Sequence, residues 1–224
     1  MLDGMYDLLA LAKMANDVYE PGNSPVMLGD WTRQDKPEEY GNFYACAYKY
    51  KGTGDIVTVS IRGTDDTEDA WVDDVAGIGL GLGALVMDYT QACDYVANWK
   101  RHSRKLFLTG HSLGGAYVQL VGSKVGVPGA SFNAPGVMNL INMMSGNWVT
   151  RIASGALHGL TLGKIAYVTG TEAPNDDGIS NFRGSWDPVS QVGVHVGHAL
   201  RTIQVGSIAP HPHSMLPIIR TLQG

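Results

Sequence analysis

A chain of 224 residues, 44% hydrophobic and 17% charged, carries enough apolar side chain for a buried core and too little charge for a disordered segment. Its net charge of −5 offers no basic footprint for nucleic acid, and two cysteines, Cys46 and Cys93, are too few for a disulfide framework. The longest apolar run, Val75 to Met87, has thirteen residues, against the roughly 20 that a bilayer-spanning helix needs.

The first seven residues carry two acids and no basic cluster, which is not a secretory signal; a cytoplasmic protein, or one exported by a non-classical route, is expected. From Met5 to Tyr19, Leu8, Leu9, Ala12, Ala15 and Tyr19 fall on one face and predict an amphipathic helix. Phe43 to Tyr50 and Ile56 to Ile61 read as two strands around the turn-rich Lys51-Gly52-Thr53-Gly54-Asp55. The second strand runs into Arg62-Gly63-Thr64. Next comes Gly77-Ile78-Gly79-Leu80-Gly81-Leu82-Gly83, part of an unusually high total of 29 glycines.

A helix is expected over Tyr89 to Arg101, then a short buried strand around Leu106 to Leu108, then Gly110-His111-Ser112-Leu113-Gly114-Gly115-Ala116 and a helix-compatible stretch. Gly129 to Phe132 reads as another strand, closed by Asn133-Ala134-Pro135-Gly136. Asn139 to Leu162 has no clear period, and its Met143, Met144 and Trp148 are assigned to the core. Ile165 to Thr169 and His195 to Val205 read as strands and Ser214 to Leu222 as a terminal helix. Strands alternating with helices predict an α/β fold with a mostly parallel central sheet and helices on both faces. No stretch reads as a linker, so residues 1–224 are expected to form one domain.

Gly110-His111-Ser112-Leu113-Gly114 fits G-x-S-x-G, with a strand before it and a helix after it. That is the setting of a nucleophile elbow, in which a serine hydroxyl is forced into the open on a sharp turn. Side chains at 110 and 114 would collide with neighbouring strand and helix, and glycine has no Cβ. A serine hydroxyl is a poor nucleophile until a base takes its proton, and the base needs a carboxylate to orient it. The expected chain order is Ser, acid, His. Downstream acids are Glu172, Asp176, Asp177 and Asp187; only Asp187 has apolar neighbours to shield it from water, so it is preferred. Of His158, His195, His198, His211 and His213, the last lies in a loop just before the terminal helix and is preferred, with His211 as its rival. An oxyanion intermediate needs preorganised N–H donors. The backbone of Leu113 supplies one by elbow geometry, and Thr64, at the end of the earlier strand, fits the other.

Taken together, Val59-Ser60-Ile61-Arg62-Gly63-Thr64, Asp69-Ala70-Trp71-Val72-Asp73-Asp74, Gly110-His111-Ser112-Leu113-Gly114-Gly115-Ala116, Asn133-Ala134-Pro135-Gly136, Asp187-Pro188-Val189 and His213-Ser214-Met215 make most of the chain resemble the class 3 (fungal-type) lipase family of α/β-hydrolases. The resemblance implies an α/β-hydrolase domain, with Ser112, Asp187 and His213 as the triad and Thr64 and Leu113 at the oxyanion, and no cofactor or metal. The run 77–83 lies where such lipases carry a lid, but four glycines in seven residues make a poor helix, so a flap or tight loop near the acyl site is expected.

The leading expectation is a serine hydrolase of acyl esters, with Ile78, Leu80, Leu82, Leu85, Val86 and Met87 exposed towards lipid and in transient contact with a membrane or lipid interface. A phospholipase A-type effector toxin with an immunity protein as partner is one version of it. A metal hydrolase built on His195, His198, His211 and His213 lacks an H-E-x-x-H motif. A non-catalytic binding module on the same fold is the remaining alternative.

Overall fold

The computed structural model describes residues 7–20, 27–34, 37–41, 43–52, 55–63, 75–138, 140–141, 178–206 and 212–224. In chain order these form helix α1 (Leu8–Asp17), strands β1 (Met27–Leu28), β2 (Trp31–Arg33), β3 (Glu38–Tyr40), β4 (Phe43–Tyr50) and β5 (Ile56–Ile61), and helix α2 (Val75–His102). Strand β6 (Lys105–His111), helix α3 (Leu113–Val125), and strands β7 (Gly129–Phe132), β8 (Ile179–Gly184) and β9 (Arg201–Ile203) follow, with helix α4 (Met215–Gln223) last.

All nine strands join one sheet in the order β1-β2-β4-β5-β6-β7-β8-β9, with β3 added beside β4. The expected α/β class holds, but the sheet is mixed, not mostly parallel. Strands β1 to β5 pair antiparallel, and β5 to β9 pair parallel. Connection length explains the split. Only five residues separate β4 from β5, too few for a parallel crossover, whereas α2 and α3 are long enough to carry the chain back for parallel pairing.

Side-chain alternation sorts the two faces. Val57, Val59, Ile61, Leu106 and Leu108 join a core with Leu85, Ala92 and Val96 of α2 and with Leu113, Ala116, Val118 and Val121 of α3. Ile56 and Phe107 point the other way, into a core with Leu11, Ala12, Met14 and Ala15 of α1 and Met215 and Ile218 of α4. Helices therefore cover both faces, as expected. Strand β5 is buried along its whole length, consistent with its near-continuous apolar sequence. Each fully buried large apolar side chain contributes about 1.5–3 kcal/mol relative to exposure.

Several predicted elements form with the expected bounds: β4, β5 and β7 match residue for residue, α1 lies inside its predicted range, and α4 starts and ends one residue later than predicted. Others differ. The glycine-rich run 77–83 is not a loop but the N-terminal part of α2, which extends well beyond the predicted Tyr89 to Arg101. Each glycine costs about 1 kcal/mol relative to alanine, yet adding turns to an existing helix is far easier than nucleating one. Leu85, expected to face lipid, is fully buried on the α2–α3 side, while Met87 is 77% exposed. His195 to Val205 is strand only over Arg201–Ile203. The strand predicted at Ile165 to Thr169 and nearly all of Asn139 to Leu162 lie outside the described residues, although Leu140 and Ile141 pack against the core. Cys46 is buried and Cys93 half-buried, and both are free thiols.

Candidate active site

Parallel register brings the carboxyl ends of four strands to one edge, where open α/β sheets hold their ligand sites. Ile61 of β5 pairs with Gly110 of β6, His111 with Phe132 of β7, and Phe132 with Phe182 of β8. The segments leaving these ends carry Gly63, Ser112, Asn133 and Asp187, and His213 reaches the same edge immediately before α4.

Ser112 is the single residue between β6 and α3. Its backbone lies at φ 57°, ψ −129°, a region that non-glycine residues seldom occupy and that costs on the order of 1–3 kcal/mol. Its N–H donates to the Phe132 carbonyl (3.0 Å) and its carbonyl accepts from Ala116 N (3.1 Å), so both neighbouring elements hold the turn. The motif glycines act as the sequence predicts. A Cβ at 110 would stand 2.5 Å from the Gly114 carbonyl, and one at 114 would run into the Ile61 carbonyl oxygen. The first turn of α3 can therefore lie against the backbone of both β5 and β6 only because positions 110 and 114 are glycine.

Asp187 and His213 meet. Asp187 Oδ1 lies 2.7 Å from His213 Nδ1, and the two residues are 0% and 3% exposed. The other carboxylate oxygen accepts from Ser190 N at 2.7 Å, and the Asp187 carbonyl accepts from Gln191 Nε2 at 3.1 Å. With both oxygens engaged, the carboxylate has one orientation, and Nδ1 of His213 is the protonated nitrogen facing it. His213 Nε2 then carries the lone pair. It is buried and makes no hydrogen bond among the described residues, one to Ser112 Oγ included.

The His213 carbonyl anchors the base loop. It accepts from His111 Nε2 (2.7 Å) and from Asn133 Nδ2 (2.9 Å). Asn133 in turn accepts from Gly184 N (2.9 Å), at the end of the strand that leads to Asp187. The His111 and His213 rings face each other with centroids 4.6 Å apart, so the candidate base lies against the residue that precedes Ser112. Because the His213 carbonyl can only accept, His111 Nε2 carries the proton. Burial, reinforced by the neighbouring His213, pushes the His111 imidazole down to about 3, so it is neutral at ordinary pH.

His111 and Asn133 were not singled out by the sequence. His111 occupies the variable position of the elbow motif. Asn133 has φ 48°, and asparagine just after a strand is a recognised occupant of that region. Of the rejected histidines, His195 bonds the Ala134 carbonyl (2.9 Å) from a loop, and burial pushes its imidazole down. Among the described residues, no group of three His, Cys, Asp or Glu could hold a metal ion. His158, His211, Glu172, Asp176, Asp177 and Thr64 lie outside the described residues. Leu113 N is described. A Cβ at Gly63 would come within 3.3 Å of it, so the end of β5 lies beside the predicted donor.

A family model described as a Tle-like phospholipase domain matches residues 11–211, nearly the whole chain and every described segment of this edge except the last loop. The chain belongs to this phospholipase-like family. No curated protein matches it. Membership gives the Tle-like domain a lipid substrate and an ester-hydrolysing activity, and places it within lipases and phospholipases without singling out the class 3 lipases. No helix among the described residues of the Tle-like domain is long and apolar enough to cross a membrane.

Proposed function

We propose that the chain is a serine phospholipase that cleaves acyl esters of membrane lipids through an acyl-enzyme on Ser112. The observation that carries this reading is the buried Asp187–His213 pair, which leaves Nε2 unprotonated at the same sheet edge as the strained Ser112 elbow. His213 Nε2 takes the Ser112 proton as Oγ attacks the ester carbonyl carbon. Asp187 holds the tautomer and stabilises the imidazolium that forms. The carbonyl oxygen becomes an oxyanion held by Leu113 N and a donor from Thr64. His213 returns the proton to the leaving alkoxide, and water repeats the sequence to release the fatty acid. Hydrogen bonds of this kind are often long before substrate binds and shorten in the complex, which accommodates the unbonded Nε2.

Two exposed aromatic or aliphatic side chains flank the pair, Trp186 beside Asp187 and Leu216 near His213, and suit contact with a lipid interface. The elbow and the strand order support an α/β-hydrolase reading of the fold, and the continuous sheet supports the reading of residues 1–224 as one domain. The family match is compatible with the narrower reading of a delivered toxin, whose expected partner is an immunity protein.

The experiment is hydrolysis of phosphatidylcholine and phosphatidylglycerol vesicles, scored for free fatty acid and lysophospholipid. Ser112→Ala is expected to lower turnover by about a millionfold, as loss of a triad nucleophile does. Near-normal hydrolysis by that variant contradicts the proposal. The base is decided by a second pair: His213→Ala removes activity and His211→Ala retains it, and the reverse outcome transfers the role to His211.

A further inference from the structure

We propose that Tyr19, just past the end of the N-terminal helix, is a positioning residue that sets the spacing between the end of β5 and the elbow backbone that carries the proposed oxyanion donor Leu113 N. The inference rests on the serine reading of the site above. Its basis is one phenol oxygen placed between two backbones. Gly63 N–H donates to Tyr19 Oη at 2.9 Å, and the hydroxyl proton is shared between the His111 carbonyl (3.3 Å) and His111 Nδ1 (3.4 Å). Nδ1 can accept because the proton of His111 is on Nε2, bonded to the His213 carbonyl. A single hydroxyl thus links the end of β5, the residue before Ser112 and, through His111, the loop of the candidate base.

Space at this junction is fully used. A Cβ on Gly63 would come within 2.5 Å of Tyr19 Oη, 3.1 Å of the His111 carbonyl oxygen and 3.3 Å of Leu113 N. The Gly63 N–H, the His111 carbonyl and Leu113 N are thus gathered around one oxygen, and Leu113 N is the proposed oxyanion donor. Tyr19 is itself held. Arg33 Nη1 donates to the carbonyls of Asp17 (3.3 Å) and Glu20 (3.2 Å), on either side of it, and pairs with the Asp17 carboxylate at 3.3 Å. Tyr48 donates to the same carboxylate at 2.7 Å. Buried polar groups on β2 and β4 therefore anchor the segment whose hydroxyl reaches the catalytic edge.

The phenol ring meets His111 edge to face, with centroids 5.9 Å apart, and Tyr19→Phe keeps that packing while removing the oxygen. The expected result is about a tenfold fall in kcat with KM unchanged, the loss due to one hydrogen bond that orients an oxyanion donor. The Ki of an alkyl trifluoromethyl ketone, which binds as a tetrahedral oxyanion, rises by about the same factor. A merely structural role lowers Tm and leaves kcat and Ki unchanged, and that result overturns the inference. Gly63→Ala approaches the link from the other side and serves if Tyr19→Phe does not fold: unchanged kcat in Gly63→Ala overturns the link by itself. Combining the two is expected to cost less than the product of the single losses, because the added methyl no longer meets an oxygen; multiplicative losses count against it. Ser112→Ala run alongside separates the two levels. Hydrolysis surviving in Ser112→Ala removes the serine reading, whereas serine-dependent hydrolysis with wild-type kcat and Ki in Tyr19→Phe removes only the role of Tyr19.

Discussion

His111 is buried beside the nucleophile and kept neutral, and the stability of the protein depends on pH through it. Its folded value is about 3, against 6.5 in the unfolded chain. Below pH 6.5 the unfolded state therefore binds a proton that the folded state refuses, so stability present above 6.5 is lost as pH falls towards 3, by about 1.4 kcal/mol per pH unit. His195 is shifted in the same direction. Between pH 7 and pH 5 the wild type is expected to lose about 2 kcal/mol more than His111→Gln, measured by urea unfolding at both pH values. Equal losses in the two proteins remove His111 as the source. At this scale the sequence singled out Ser112, Asp187 and His213 as candidates by type and order, and the latter two meet in the structure. It could not identify Tyr19, 92 residues from its partner His111, because no local pattern records a contact made through the fold.

At the scale of elements, the elbow depends on the first turn of α3 lying against the end of β5. Gly114→Ala is expected to unfold the protein or destabilise it by several kcal/mol, because the new methyl meets the Ile61 carbonyl backbone, which cannot yield as a flexible side chain would. Thermal unfolding checks it, and an unchanged Tm contradicts the tight elbow. Strands β4 and β5 were legible from long apolar runs, and the short β7 from the turn-forming Asn133-Ala134-Pro135-Gly136 that closes it. Strand β8 escaped because its central residue is Asn181, a polar residue that reads as loop but is buried here, bonded to Ser131 Oγ and to the Val196 and His198 carbonyls. Strands β1, β2, β3 and β9 have two or three residues each, too few to display a period. The glycine run reads as a loop by propensity, and the helix that contains it shows continuation of α2 overriding composition.

Across the whole molecule, the sheet has two functional halves. The antiparallel half carries Arg33 and Tyr48, which fix the end of α1, and the parallel half presents the elbow, Asn133 and Asp187 at one edge. The two halves join at β5, whose last residue precedes the loop bearing Gly63. Strand and helix alternation predicted the parallel half and the two-sided covering. It overstated the parallel share because the N-terminal hairpin strands are short and partly polar. Family membership supplies what no local pattern in the chain did, a place among the lipid-hydrolysing phospholipases and lipases.

The most direct measurement of the central claim is the site of covalent capture. Folded protein is incubated with an alkyl fluorophosphonate at neutral pH, and the adduct is located by peptide mass spectrometry. One adduct per chain on Ser112, lost in Asp187→Ala and His213→Ala, is the predicted result. Labelling at another residue, or none on folded protein that hydrolyses phospholipid, contradicts the account.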